Sequence, residues 1–164
     1  MRNQHGYELL AHFEAPSELG RVWTMSRSQI YAVLKRLEGH GMVRGKPVRG
    51  QDAPDRIEYG VTAAGRRRLE SWLRETEPSA SVRSIRVEFI SKLFVAERLG
   101  RLLDPIITRQ EEACQDRLQE LETARLAASS ATEVRSLDFV IGQLRAAILW
   151  LGQVRLAESV LEEA

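Results

Sequence analysis

The chain is poor in the residues that carry most enzyme and metal chemistry. Among 164 residues there is one cysteine, Cys114, so no internal disulfide forms, and a lone thiol on an apolar stripe is expected to pack in a core within a reducing compartment. Three histidines, His5, His12 and His40, are scattered without His-x-x-x-His or paired-cysteine spacing, so no metal site and no cofactor are expected. No glycine-rich phosphate loop and no nucleophile elbow occur, and the chain does not read as an enzyme. The opening MRNQHGYELL lacks the apolar run of a signal peptide, and no stretch of about eighteen uncharged apolar residues appears. A soluble cytoplasmic protein without a membrane partner is the expectation.

What the chain does have is unevenly placed charge. The formal net charge is only +1, but Arg21 to Arg68 holds eleven Lys or Arg against four acids, whereas Ser79 to the end holds eleven against thirteen. A basic section joined to a slightly acidic one suggests a polyanion-binding head and a body with another task. Charge of this kind also serves solubility alone, so the pattern of elements has to decide.

Before a break at Glu77-Pro78-Ser79-Ala80-Ser81, the elements are short and mixed. The pattern predicts a first helix from Gly6 to Glu14, with Tyr7, Leu10 and Phe13 available to one face. A second helix begins at Ser26, where S-x-x-Q forms a reciprocal capping box with Gln29, and it ends at Gly41. Its core face is Ile30, Val33, Leu34 and Leu37. Met42 to Val48 and Arg56 to Thr62 read as two strands around a polar loop, and Thr62 caps a further helix through Leu73. This order is that of a winged helix-turn-helix domain. After the break everything reads as helix, in three apolar stripes; the last comprises Leu137, Ile141, Leu144, Ile148 and Leu151, continuing to Val154 and Leu161. Such a seam suits a dimer interface, although a helix packed wholly within its own chain would share the pattern.

A helix entering the major groove must show polar side chains from its early turns while its other face stays in the core. With Ile30 and Leu34 inward, Arg27, Ser28, Tyr31 and Lys35 fall outward. Arg27 is the candidate for bidentate contact to a guanine edge, Ser28 and Tyr31 for phosphate or base, and Lys35 for phosphate. Lys46, Arg49 and Arg56 on the hairpin can reach phosphate or the minor groove. The competing reading is a solvated charged helix beside a basic turn. Trp23 is expected to anchor the turn before the second helix. Trp150, beside the last seam, is a candidate wall for an effector pocket or a packing residue.

GYELL at Gly6 to Leu10, S-x-S-x-IY-x-x-LKRLE from Ser26 to Glu38, GMV at Gly41 to Val43 and EYGVTAAG at Glu58 to Gly65 closely resemble the PadR transcriptional regulators. The match covers most of residues 6 to 78; the rest agrees in architecture. The resemblance implies a mainly α fold with a small β-hairpin, built as a winged helix-turn-helix domain (1–78) and a C-terminal helical dimerisation domain (79–164). It also implies a homodimeric repressor of operator DNA that responds to a small, often aromatic, effector. The chain departs from the family in having only Met1 to His5 where an apolar helix usually precedes GYEL. A protein-interaction module with an idle DNA face is the alternative reading.

Overall fold

A computed structural model describes residues 4–14, 16, 18–48 and 56–162, with the side chains of 159–162 excepted. The chain divides into two compact units, Met1–Arg74 and Glu75–Ala164.

In the first unit β1 (Gln4–His5) leads into α1 (Gly6–Ala11), followed after a turn-rich stretch by α2 (Arg27–Gly39), β2 (Val43–Val48), β3 (Arg56–Val61) and α3 (Ala63–Leu73). His5 caps α1, accepting from the Glu8 amide while the Glu8 carboxylate accepts from the His5 amide. Ser26 and Gln29 form the expected reciprocal box on α2. That helix ends in a Schellman turn: Gly41 takes φ +67°, its amide donates to Glu38 O, and the Met42 amide donates to Leu37 O. The strands form an antiparallel sheet of order β1-β3-β2, with Gly45 opposite Tyr59 and Lys46 opposite Glu58. Leu10, Ile30 and Leu34 make the core, with Leu9, Phe13, Met25 and Tyr59 packed around them.

Two expectations change here. The first helix stops at Ala11 rather than Glu14, because the His12 and Phe13 amides turn back to the Leu9 and Leu10 carbonyls in tighter i to i−3 bonds. Tyr7 is 65% exposed and takes no part in the core. Phe13 instead meets Trp23 edge-on at 4.8 Å, and Trp23 is half-buried at that turn.

One juncture joins the helix, the hairpin and α3. The Thr62 amide donates to Met42 O at 3.0 Å, and the Thr62 hydroxyl donates to Gly41 O at 2.7 Å while accepting from the Gly65 amide. Gly65 lies so close that a Cβ there would stand 2.0 Å from Met42 O.

The second unit is helical. Ser81 caps α4 (Val82–Ser84), which runs through a π-helical turn (Ile85–Phe89) into α5 (Ile90–Arg98). Gly100, at φ +61°, closes α5 in a second Schellman turn. Pro105 stands in the first turn of α6 (Asp104–Ala127), where its missing N–H costs nothing, and a short connection leads to α7 (Ala131–Glu162). α6 and α7 form an antiparallel hairpin laced by Arg125–Asp138, Arg145–Glu122 at 2.7 Å and Arg155–Glu111 at 2.9 Å. Ile85, Phe89, Ala96, Ile106, Ile107, Cys114, Leu121, Ile141, Leu144 and Leu151 are the buried apolar residues of this second unit. Buried Lys92 is held by Glu75 at 2.8 Å.

The Gly65 contact sets the first prediction. At an open helical site, Gly→Ala stabilises by up to about 1 kcal/mol. Here the added methyl must displace backbone, so Gly65→Ala should instead destabilise the fold by about 1–3 kcal/mol, read as a lower denaturant midpoint.

Cys114 sets the second. Burial raises the thiol pKa above its ordinary value, against a smaller opposing effect of the Gln110 hydrogen bond. The folded thiol therefore holds its proton to higher pH than the unfolded one. This contribution to stability is full below the unfolded thiol's value of about 8.5 and is lost as pH rises through the folded one. Denaturant titrations between about pH 7 and 10 should show wild type losing stability with rising pH more steeply than Cys114→Ala.

Candidate nucleic-acid interface

The capping box decides what α2 shows to solvent. It starts the helix at Arg27, and once Ile30 and Leu34 enter the core, Arg27, Ser28, Tyr31 and Lys35 are all exposed. The four are not equally available. The Arg27 guanidinium stands 5.9 Å from the centre of the Tyr31 ring, within cation–π reach, so these two form one unit. The Tyr31 ring also lies against α1, because a Cβ on Gly6 would come 2.9 Å from it. Tyr31 is 40% exposed. Ser28 is 3.0 Å from the capping Ser26 hydroxyl. Lys35 is the most freely presented of the set.

The hairpin sorts its residues by strand parity. Val43, Gly45 and Pro47 share a face with Ile57, Tyr59 and Val61, and Tyr59 on that face packs on the core. Arg44, Lys46, Glu58 and Arg56 share the other face, where Arg44 and Lys46 line a shallow depression with Glu58, Gly60 and Thr62. Arg56 is paired with Glu58 at 3.5 Å, which partly neutralises it. Arg49 lies outside the described residues. The candidates therefore form two groups in the head, Arg27 with Tyr31 on α2 and Lys46 with Arg56 on one face of the hairpin. Arg44, which the sequence reading passed over, belongs with the second group; its place two residues before Lys46 on one strand was the available signal.

The helix and the hairpin are joined at their roots by Glu38. Its Oε1 accepts the Gly45 amide at 2.7 Å. Burial, and then the adjacent Glu38 carboxylate, push the Tyr59 phenol above its ordinary pKa.

In the second unit, the seam residues turn out to be occupied. Ile141, Leu144 and Leu151 are 4%, 1% and 0% exposed within a single chain, and Leu137 and Ile148 are half-buried, so this stripe packs inward beside α6 and leaves little surface for a second copy. The opposite side of α7 carries Phe139, Leu149 and Leu156, all about two-thirds exposed. Trp150 meets Phe89 edge-on at 6.1 Å and is a packing residue. A separate groove has Leu121 and Leu144 at its floor and Ser79, Ser81, Arg117 and Gln143 at its rim. No cluster of His, Cys, Asp and Glu fit for a metal exists among the described residues.

Known proteins resemble this chain most clearly through the head. Residues 1–71 match the sequence model of the transcriptional regulator PadR-like family. A probable transcriptional regulator of Mycobacterium tuberculosis is 34% identical over 70 residues, 43% of this chain and 36% of that one. The negative transcriptional regulator PadR of Bacillus subtilis is 28% identical over 96 residues, 58% of this chain and 50% of that one. The chain thus matches half or less of the length of these curated relatives. Among solved structures, Bacillus subtilis PadR in complex with operator DNA is 21% identical with a TM-score of 0.44, covering 93% of this chain and 88% of that one. A PadR-like transcriptional regulator from Bacillus cereus is 18% identical with a TM-score of 0.40, covering 96% and 88%.

Proposed function

We propose, from the match of residues 1–71 to the sequence model of the transcriptional regulator PadR-like family, that this chain is a homodimeric repressor whose winged head binds operator DNA under control of a small effector. The observation that carries the reading is the polar face of α2. A helix with a buried Ile30–Leu34 side presents Arg27, Tyr31 and Lys35 from its first two and a half turns, next in sequence to a hairpin with Arg44 and Lys46 on one face. That is the arrangement a major-groove helix with phosphate-binding flanks requires.

The roles divide by chemistry. Arg27 can fork to the O6 and N7 of a guanine, and Tyr31 braces its guanidinium from the side. Ser28 and Lys35, like Arg44, Lys46, Arg49 and Arg56, serve as phosphate contacts that fix register. Two heads must be held together to read a two-fold site, and α7 supports this with an apolar side on which Phe139, Leu149 and Leu156 are each about two-thirds exposed. For the effector, a small aromatic compound suits the groove with the apolar floor of Leu121 and Leu144 and the polar rim of Arg117 and Gln143.

Operator variants measured against single substitutions test the DNA reading. Arg27→Ala should lose about 1–3 kcal/mol at one base pair and relax discrimination there, whereas Lys46→Ala should weaken all sequences alike and flatten the salt dependence by about one ion. A uniform loss in Arg27→Ala would make Arg27 a phosphate contact. Binding that is indifferent to salt would favour a protein-interaction module over a DNA-binding head.

Sedimentation tests the assembly. Leu149→Asp with Leu156→Asp places charges on the outer side of α7 and should give folded monomers with weak operator binding. Leu144→Asp with Leu151→Asp should unfold the C-terminal unit instead, because those positions are buried in one chain. An unchanged dimer in the first pair would rule out that face.

A further inference from the structure

The strand β2 that carries Arg44 and Lys46 is an edge strand, and the residue between them is glycine. The Gly45 amide is bonded to Glu38 at the end of α2. Pro47, two residues on and of the same parity, has no N–H to offer at that edge. The close approach depends on the glycine: a Cβ there would stand 3.0 Å from Glu38 Oε1, 2.8 Å from Ile57 Cγ2 and 3.2 Å from the Tyr59 ring. A backbone bond at this point fixes the positions of the two flanking cations relative to the helix that carries Arg27.

We infer that Glu38 is a positioning residue, whose carboxylate ties the hairpin to α2 so that Arg44 and Lys46 reach phosphate in the register set by the helix. The inference rests on the DNA-binding reading above, and it adds a role for an acid inside a basic head. Taken by charge alone, Glu38 opposes a polyanion. Its contribution is geometric, through a single acceptor oxygen holding a single amide.

Charge and geometry separate in two variants. Glu38→Gln and Glu38→Ala both remove the negative charge, but only glutamine keeps an oxygen at the acceptor position. Glu38→Gln should therefore bind operator at least as tightly as wild type, with the same dependence on salt. Glu38→Ala should bind more weakly, roughly tenfold on the scale of one or two lost phosphate contacts, with a salt slope smaller by about one to two. Discrimination at the base pair read by Arg27 should persist in both.

Amide hydrogen exchange of Gly45 in the free protein gives a readout without DNA. Protection should persist in Glu38→Gln and fall in Glu38→Ala. Equal protection in the two variants, or equal affinity and salt slope, would overturn the positioning role even if wild type binds operator normally. A wild-type protein that fails to bind DNA while Gly45 loses protection in Glu38→Ala would instead sink the DNA-binding reading, and with it the role given to the tie.

Discussion

The head depends on the backbone of Met42. Its carbonyl accepts the Thr62 amide, its neighbour Gly41 accepts the Thr62 hydroxyl, and Gly65 brings the first turn of α3 down onto it. Four elements meet within these few atoms: the end of α2, the start of β2, the end of β3 and the start of α3. A hydroxyl is needed because it must donate across to Gly41 while accepting from the Gly65 amide, which valine, of the same shape as threonine, cannot do. A glycine is needed because any Cβ would strike the carbonyl. The string VTAAG is therefore a structural clasp, and the hairpin leaves α2 at a fixed point because of it. Glu38 adds a second point of attachment one turn away, so the chain is held at Met42, just before β2, and again at Gly45 within it.

The second unit solves a different problem, that of a 32-residue helix apolar on more than one side. By length and composition, Ala131 to Glu158 is hydrophobic enough to cross a membrane, with a mean hydropathy of 1.2 over eighteen residues. The packing gives another account of that composition. Asp138 and Arg145 within this stretch each pair with a residue of α6, itself a strongly polar helix, and the Ile141–Leu144–Leu151 side is consumed by packing within the chain. The Phe139–Leu149–Leu156 side stays largely exposed. Gly142 lies nearby with nothing within 4 Å of where its Cβ would be. A mid-helix glycine costs about 1 kcal/mol relative to alanine. Inside one chain that cost buys no contact, whereas a second helix could approach closely there.

Much of this was legible because it is local. The Ser26–Gln29 box, the strand limits near Val43–Val48 and Arg56–Val61, and the Thr62 cap follow from residue types a few positions apart, and each is found where the pattern places it. What escaped the sequence depends on a distant partner. The pairing of Gln4–His5 with β3 depends on a free sheet edge, and the packing of Tyr31 depends on Gly6, twenty-five positions away. The π-helical turn at Ile85–Phe89 keeps an apolar stripe that periodicity alone reads as ordinary helix. The seam on α7 had the right spacing, but spacing cannot say whether the helix opposite belongs to the same chain. Here α6 takes that side.

The electrostatics of α2 show what presenting Arg27 costs. Its first turn holds no acid, and Arg27 stands at the positive end of the helix dipole, where a cation is unfavourable by about 0.3–1 kcal/mol. Two local interactions offset this. The reciprocal Ser26–Gln29 box satisfies two amides that the helix start leaves open, worth about 1 kcal/mol, and the Tyr31 ring draws the guanidinium to its face. An acid in the first turn would have stabilised the helix more simply, at the expense of the positive field beside the exposed arginine. Holding that field with a neutral cap and an aromatic neighbour keeps the helix start attractive to an anion, and under the operator-binding reading this favours Arg27 as a contact made at the cost of some helix stability.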